Sequence, residues 1–384
     1  MPQRFATLFF SLLTIATVAP AQTKASLWLT TPDGSSRFAP QKTKPHFTSA
    51  PAPSSSAIID IDDAQKFQSI DGFGYALTGG SAQLLMRMSP AARAAILHRL
   101  FSTKGDSIGV SYLRVSIGSS DMNDHVFTYD DLPPGQTDPD LKHFNLGPDL
   151  TDVIPILKQI LAIAPHIKIL ASPWSAPAWM KTNGDPKAGE LSPEFYPAYA
   201  AYFVRYLNAM QQQGVPIDAL TKVHDAFPAK NIYFTEQMVI DQRGGTATTN
   251  ISKPFADIVI GATRNWSRNV LLWNLAADPN DNPHTSNGGC PLCQGAITLD
   301  GDHVGFNRGF YTLAHAAKFV RPGSVRIAST EPTNLPNAAF HTREGHTVLL
   351  IANTDAAAKT FTVHIHQRLF TTSLPGGAIA TYLW

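Results

Sequence analysis

Cysteine and charge are both scarce in this chain. Of 384 residues only two are Cys and 15% are charged, which excludes a disulfide-stapled miniature scaffold and a charge-driven disordered segment. The formal net charge is +1, with Lys and Arg scattered and no basic run. That excludes the electrostatic footprint expected for nucleic acid or an acidic membrane surface, and it fits a neutral substrate. Beyond the first twenty residues no apolar run approaches membrane length. The 13 His are dispersed without H-E-x-x-H or similar ligand spacing. No G-x-S-x-G elbow occurs, and Gly72-Phe-Gly74 lacks the rest of a dinucleotide fingerprint. Neither a metal nor a cofactor is implied.

What is present is apolar and aromatic: 43% hydrophobic residues, including 21 Phe, 10 Tyr and 6 Trp. This supplies a large core, and the length suits one (β/α)₈ domain of about 250 residues beside a smaller module. Met1 to Ala21 carries Arg4, an apolar run from Phe5 to Val18, and Ala19-Pro20-Ala21, the layout of a secretory leader cleaved after Ala21. The run is too short for a spanning helix, which needs roughly 20 residues. Export makes the cysteines informative. Cys290-Pro-Leu-Cys293 sits in a loop rich in Asn, Pro and Gly, and a loop disulfide fits better than a redox motif or a zinc site, which wants two further ligands.

Along the chain, Ser26 to Thr31 and Ile58 to Ile61 read as strands around a Pro/Ser-rich linker from Pro40 to Ser56. From about Gln68 to Arg321 short apolar runs alternate with helical segments, the pattern of an α/β domain with a parallel sheet. Five strands are expected, at 69–73, 112–117, 167–171, 232–235 and 270–274. Helices fit 90–101, opened by Ser89, then 149–163, opened by the Pro148-Asp149 turn, and 193–213. From Ser324 the pattern reverts to β. The divisions read are a leader over 1–21, strands and linker over 22–67, a (β/α) catalytic domain over 68–321, and a C-terminal β-sandwich over 322–384. Residues 26–65 are expected to lend strands to that sandwich.

Functional groups of such sheets gather past the carboxyl ends of the strands. Those positions hold Asp71-Gly-Phe-Gly-Tyr75, Gly118-Ser-Ser-Asp121, Ser172-Pro-Trp174 through Trp179, Glu236, and Leu275-Ala-Ala-Asp278 with Trp273 just inside. Carboxylates among indoles are what glycosidic bond cleavage demands. Sugars stack their C–H faces on Trp, and negative charge stabilises an oxocarbenium-like transition state. Core packing is the plainer role for each Trp alone. Glu236 is harder to dismiss, because a lone Glu ending the apolar strand Ile-Tyr-Phe-Thr needs compensation, and Arg114 is the obvious partner.

Six stretches in order, Gln68-Ser-Ile-Asp-Gly-Phe-Gly74, Leu113 to Asp121, Ser172 to Lys181, Tyr233-Phe-Thr-Glu236, Trp273-Asn-Leu-Ala276 and Lys318-Phe-Val-Arg-Pro-Gly323, resemble glycoside hydrolase family 30, the glucosylceramidase-like enzymes. The resemblance runs from about Ser26 to Trp384. It implies a (β/α)₈ barrel with a side β-sandwich and a retaining mechanism on a β-glycan or glycolipid. Glu236 matches the nucleophile at the end of strand seven, Arg114 the arginine beneath it, and Asp121, Trp174 and Trp273 the residues that contact the sugar. The usual Asp-Phe pair reads Asp121-Met122 here.

One departure is large. In the family the segment matching Gly214 to Asp218 leads into a strand four that ends in Asn-Glu-Pro, whose Glu is the general acid/base. Here Ala219-Leu220 runs into Thr221, and Asn-Glu-Pro occurs nowhere. Strands four to six are therefore expected to be missing, roughly 90 residues at about 30 per βα unit. Glu190 and Asp185, after strand three, are the substitutes to weigh, and both read more simply as solvated loop charges. The alternative to an enzyme is a non-catalytic carbohydrate-binding protein that keeps the sugar-contacting aromatics.

Overall fold

The computed structural model describes residues 23–49, 57–220, 231–241 and 245–384. The expected leader and part of the Pro/Ser-rich linker lie outside the described residues. Six parallel strands form the central sheet: β1 (Gly72–Leu77), β2 (Tyr112–Ile117), β3 (Lys168–Pro173), β4 (Ala219–Leu220), β5 (Ile232–Phe234) and β6 (Ser267–Leu272). Their spatial order is β4-β3-β2-β1-β6-β5. The pairing of β1 with β6 joins the first strand to the last, as in a closed barrel, while among the described residues β4 and β5 are the edges. The protein thus has the TIM-barrel architecture cut open at one point.

The expectation that strands four to six are missing needs one correction. A fourth strand begins, because Ala219 and Leu220 pair with Leu170 and Ala171 of β3. The described part of this strand ends at Leu220.

Four helices pack on the first half of the sheet: α1 (Gly79–Arg87), α2 (Pro90–Phe101), α3 (Val153–Ile163) and α4 (Tyr196–Gln212). The Ser89 hydroxyl accepts from the Ala92 amide and Pro90 occupies the first turn, so α2 starts where its cap dictates. For α3 the cap is Asp152, not the Pro148-Asp149 pair, which belongs to a 3₁₀ turn over Gly147–Leu150. Val153, Ile156, Leu157 and Ile160 recur at helical spacing and are all buried, each worth roughly 1.5–3 kcal/mol.

Both ends of the chain meet in a nine-stranded, mainly antiparallel sheet. Ser26–Thr30 pairs with Ile379–Leu383, and Ala57–Ser69 lies between Val325–Ser329 and Lys359–Ile365. Ile59, Phe361, Phe370, Leu349 and Tyr382 share one core, so the sheet folds over on itself as a sandwich. His315, on the helix Arg308–Phe319, ties it to the α/β part, with its ring nitrogens 2.8 Å from the Thr30 hydroxyl and 2.9 Å from that of Thr381.

Candidate active site

Strand β1 starts at Gly72, later than the 69–73 strand read from the pattern, so Asp71 lies at the opposite end of the sheet from Glu236. There it is structural. Burial pushes its carboxyl up, but hydrogen bonds from Lys168, Tyr233 and Arg268 together outweigh that and hold it below the usual range. Their distances are 2.9, 2.8 and 3.0 Å, so Asp71 clamps β3, β5 and β6 together.

At the carboxyl ends, Arg114 of β2 is the hub. Its guanidinium donates to the Glu236 carboxylate and to the Ser172 hydroxyl at 3.2 Å. It also lies 5.1 Å from the ring centroid of Trp273, on the face of the indole. Strand β6 delivers Trp273, whose amide donates to the Gln237 carbonyl at 2.9 Å, which draws the chain after β5 to the end of β6. Glu236, Arg114 and Trp273, separated by up to 159 positions in sequence, thereby form one group.

Asp121 joins them from the loop after β2. Burial raises its pKa, and the neighbouring Glu236 charge raises it further. Its carbonyl accepts from the Thr285 amide at 3.0 Å, and the turn around it is held by Asn123, which accepts from the Ser120 amide at 2.8 Å. Trp174, half-buried, follows β3 by one residue. Trp179 plays another part, donating to the Asp130 carbonyl at 2.9 Å and meeting Phe195 edge-on.

Cys290 and Cys293 are joined in a disulfide with Cα atoms 5.5 Å apart. The bridge is more than a loop staple. Cys293 is buried against Ala76, Met122 and Trp273, and the sulfurs lie within 4.8 Å of an Asp121 oxygen. Bonded to each other, they offer no thiolate to a metal.

The pattern of residues did not reveal Gly79-Gly80, which opens α1 against the Asp121 loop. The Gly80 amide donates to the Met122 carbonyl at 2.8 Å, and a Cβ on either glycine would strike that loop. Two adjacent glycines directly after β1 were the available signal. Ser81 and Asn274 also escaped notice. The Ser81 hydroxyl donates to Asn274 Oδ1 at 2.9 Å and to the Ala276 carbonyl at 2.8 Å, setting the chain just past Trp273.

Glu190 and Asp185 make local contacts. Glu190 pairs its backbone with Thr182, and the Asp185 carboxylate accepts from the Lys187 amide and the Asn287 side chain. A cavity of about 580 Å³ is lined by His98, Lys104, His166 and Arg321 at the amino ends of β2 and β3. It faces away from Glu236. The Glu236 side chain is 52% exposed, on an open shelf.

The model of the glycosyl hydrolase family 30 TIM-barrel domain matches residues 70–239, and that of the family 30 beta sandwich domain matches residues 323–382. The chain belongs to glycoside hydrolase family 30. Among its family relatives, the endo-1,6-beta-D-glucanase neg1 of Aspergillus fumigatus is 26% identical, over 70% of this chain and 74% of its own. The lysosomal acid glucosylceramidase of Mus musculus is 24% identical, over 85% of this chain and 83% of its own. The solved structure of the endo-beta1,6-glucanase BT3312 superposes with a TM-score of 0.82 at 25% identity, covering 94% of this chain and 99% of that one. This family 30 chain is shorter inside the matched region. The mouse alignment spans 436 positions and the Aspergillus one 363, leaving about 110 and about 90 with no counterpart here, near the length of three βα units. No helix among the described residues is long and apolar enough to cross a membrane.

Proposed function

We propose that this family 30 glycoside hydrolase is an exported retaining β-glycosidase for β-glucosides or glucolipids, with Glu236 as its nucleophile and no general acid opposite it. The observation that carries the reading is the grouping of Glu236 with Arg114, Trp273 and Asp121 at the carboxyl ends of the sheet. Arg114 holds and aims the attacking carboxylate. Trp273 and Trp174 offer faces for the sugar ring, and Asp121 is a hydrogen-bond partner for its hydroxyls. The names endo-1,6-beta-D-glucanase and glucosylceramidase share a glucosyl group, which sets the sugar proposed here.

Glu236 attacks the anomeric carbon, the C–O bond to the leaving group breaks, and a glycosyl-enzyme forms that water then hydrolyses with net retention. In a complete member the second carboxyl group, about 5 to 5.5 Å from the first, protonates the leaving oxygen and later activates the water. The Asn-Glu-Pro segment that would carry that group is absent from the sequence. Cleavage of an unactivated glycoside should therefore fall by roughly 10²–10⁴.

The test compares leaving groups. An aryl β-glucoside with an acidic phenol is expected to be cleaved and an alkyl β-glucoside is not, while azide accelerates the aryl reaction and yields the β-glucosyl azide. A mechanism-based label should be recovered on Glu236. Label on another residue, or full activity in Glu236→Gln, overturns the assignment. A second reading, non-catalytic carbohydrate binding, is favoured by the open shelf around Glu236. Saturable binding of a β-glucan oligosaccharide with no turnover of the aryl glucoside would select it. Export is checked by N-terminal sequencing of secreted protein, expected to begin at Gln22.

A further inference from the structure

Asp130 lies in the long loop between β2 and α3, and it is 1% exposed. Both of its carboxylate oxygens are buried and neither has a hydrogen-bond partner. A charged group in that state is unfavourable by several kcal/mol unless a cation or a proton compensates it. Its neighbours are two further ligand-type groups. One oxygen of Asp130, one of Asp138 and one ring nitrogen of His143 all lie within 4.8 Å of one another. Asp138 is buried, whereas the His143 side chain is 67% exposed.

The remaining polar groups nearby are already engaged. Asp131 accepts from the Thr128 amide at 2.7 Å and from its hydroxyl at 2.6 Å, and Arg205 donates to the Asp140 carbonyl at 2.8 Å. Asp138 Oδ2 accepts from the His143 amide at 2.8 Å and lies 2.9 Å from His143 Nδ1. Among the described acidic groups of this loop, Asp130 is the one whose two carboxylate oxygens are buried and unpartnered, and one of them lies within 4.8 Å of the other two ligand atoms.

We propose that Asp130, Asp138 and His143 bind one divalent transition-metal ion, zinc by donor type, which pins the loop between β2 and α3. Ligands held by one ion at about 2.0–2.2 Å lie no more than about 4.5 Å apart, so the observed spread closes around an ion with a small shift of the exposed imidazole. Two carboxylates neutralise the dication, and a nitrogen donor favours zinc over calcium, which takes oxygen. Nδ1 would exchange its contact with Asp138 for the metal, and water would complete the tetrahedron. The role is structural. Asp130 also receives Trp179 from the loop after β3, and its neighbour Tyr129 stacks on Tyr202 and Tyr206 of α4. The ion would therefore brace the loop that begins with Asp121.

The full chain, disulfide intact and stripped with EDTA, is titrated with ZnCl₂. One ion per chain is expected by equilibrium dialysis, with Tm rising roughly 3–5 °C at a hundredfold excess over Kd. Asp130→Asn and His143→Ala should each weaken binding at least tenfold. His125→Ala, which removes an exposed His of the same loop paired with Asp124, should change nothing. Unchanged uptake by Asp130→Asn, equal loss in His125→Ala, uptake of calcium but not zinc, or no uptake at all would each overturn the site. His143 is on the surface, so its variant reports binding even if Asp130→Asn folds poorly.

Discussion

Arg114 shows how much a single residue settles in this protein. From the middle of β2 it reaches Ser172 on β3, Glu236 past β5 and Trp273 past β6, so one guanidinium sets the geometry of three strand ends. Arg114→Ala should slow covalent labelling of Glu236 by roughly 10–100-fold, measured as the rate of inactivation, because the charged donor that orients the carboxylate is lost. Two buried groups, His315 and Asp149, should give stability a pH dependence of opposite signs. Burial drives His315 down from 6.5 to about 3. Between those values the unfolded chain holds a proton that the folded one does not. Stability from this group is complete above pH 6.5 and falls by about 1.4 kcal/mol per unit as the pH drops toward 3.

Asp149 has the opposite sign. Burial raises it from 3.8 to about 8, against the opposing hydrogen bond from the Tyr129 hydroxyl at 2.5 Å. The folded chain keeps this proton where the unfolded one loses it, so stability is complete below pH 3.8 and declines as the pH rises to about 8. Asp149→Asn should remove the decline between pH 3.8 and about 8 from a denaturation-midpoint profile, and His315→Asn the loss between pH 6.5 and about 3. Profiles that keep their slopes in both variants would remove these two groups as the cause.

At the scale of elements, the start of α1 carries the clearest conflict of forces. Gly80 lies in a helix, where Ala would ordinarily stabilise by roughly 0.5–1 kcal/mol. Here an added Cβ would meet the Met122 carbonyl and the Pro283 ring. Overpacking of that kind costs about 1–3 kcal/mol, so packing wins. Gly80→Ala should lower Tm and weaken binding of a β-glucoside inhibitor, since the displaced loop carries Asp121. A rise in Tm with unaltered binding would show that helix propensity prevails. The same scale explains the edges of the sheet. Strand β5 has three residues, of which Ile232 is 53% exposed, and Val204 on α4 is 57% exposed. In a closed barrel both would be covered by neighbouring βα units.

For the whole molecule, a parallel barrel closes only when strand number, tilt and shear agree. Among the described residues five strands and a stub do not satisfy that condition, and the sheet is open between β4 and β5. Exposed edges and apolar faces favour association. Val204→Glu should reduce concentration-dependent light scattering while leaving Tm unchanged, because the side chain packs against little in the monomer. A graft of the missing units after Leu220, carrying an Asn-Glu-Pro strand end, should cover the same faces and restore cleavage of alkyl glucosides.

Much of this was legible without coordinates. Apolar runs placed β2 and α2 to the residue, and the ordered motifs marked the family, because strand periodicity, caps and strand-end carboxylates are local properties written in consecutive residues. The absent βα units were equally plain, since an absence in the chain needs no folding to be seen. What the tertiary structure alone decided was long-range. It turned Asp71 from a candidate site group into a clamp at the other end of the sheet, because one shift of the β1 start reverses which end a residue faces. It placed the disulfide beside Asp121 and Trp273, and it left Asp130 buried without a partner. These follow from which distant segments are brought together when the sheet and its loops pack, and spacing along the chain holds no record of that.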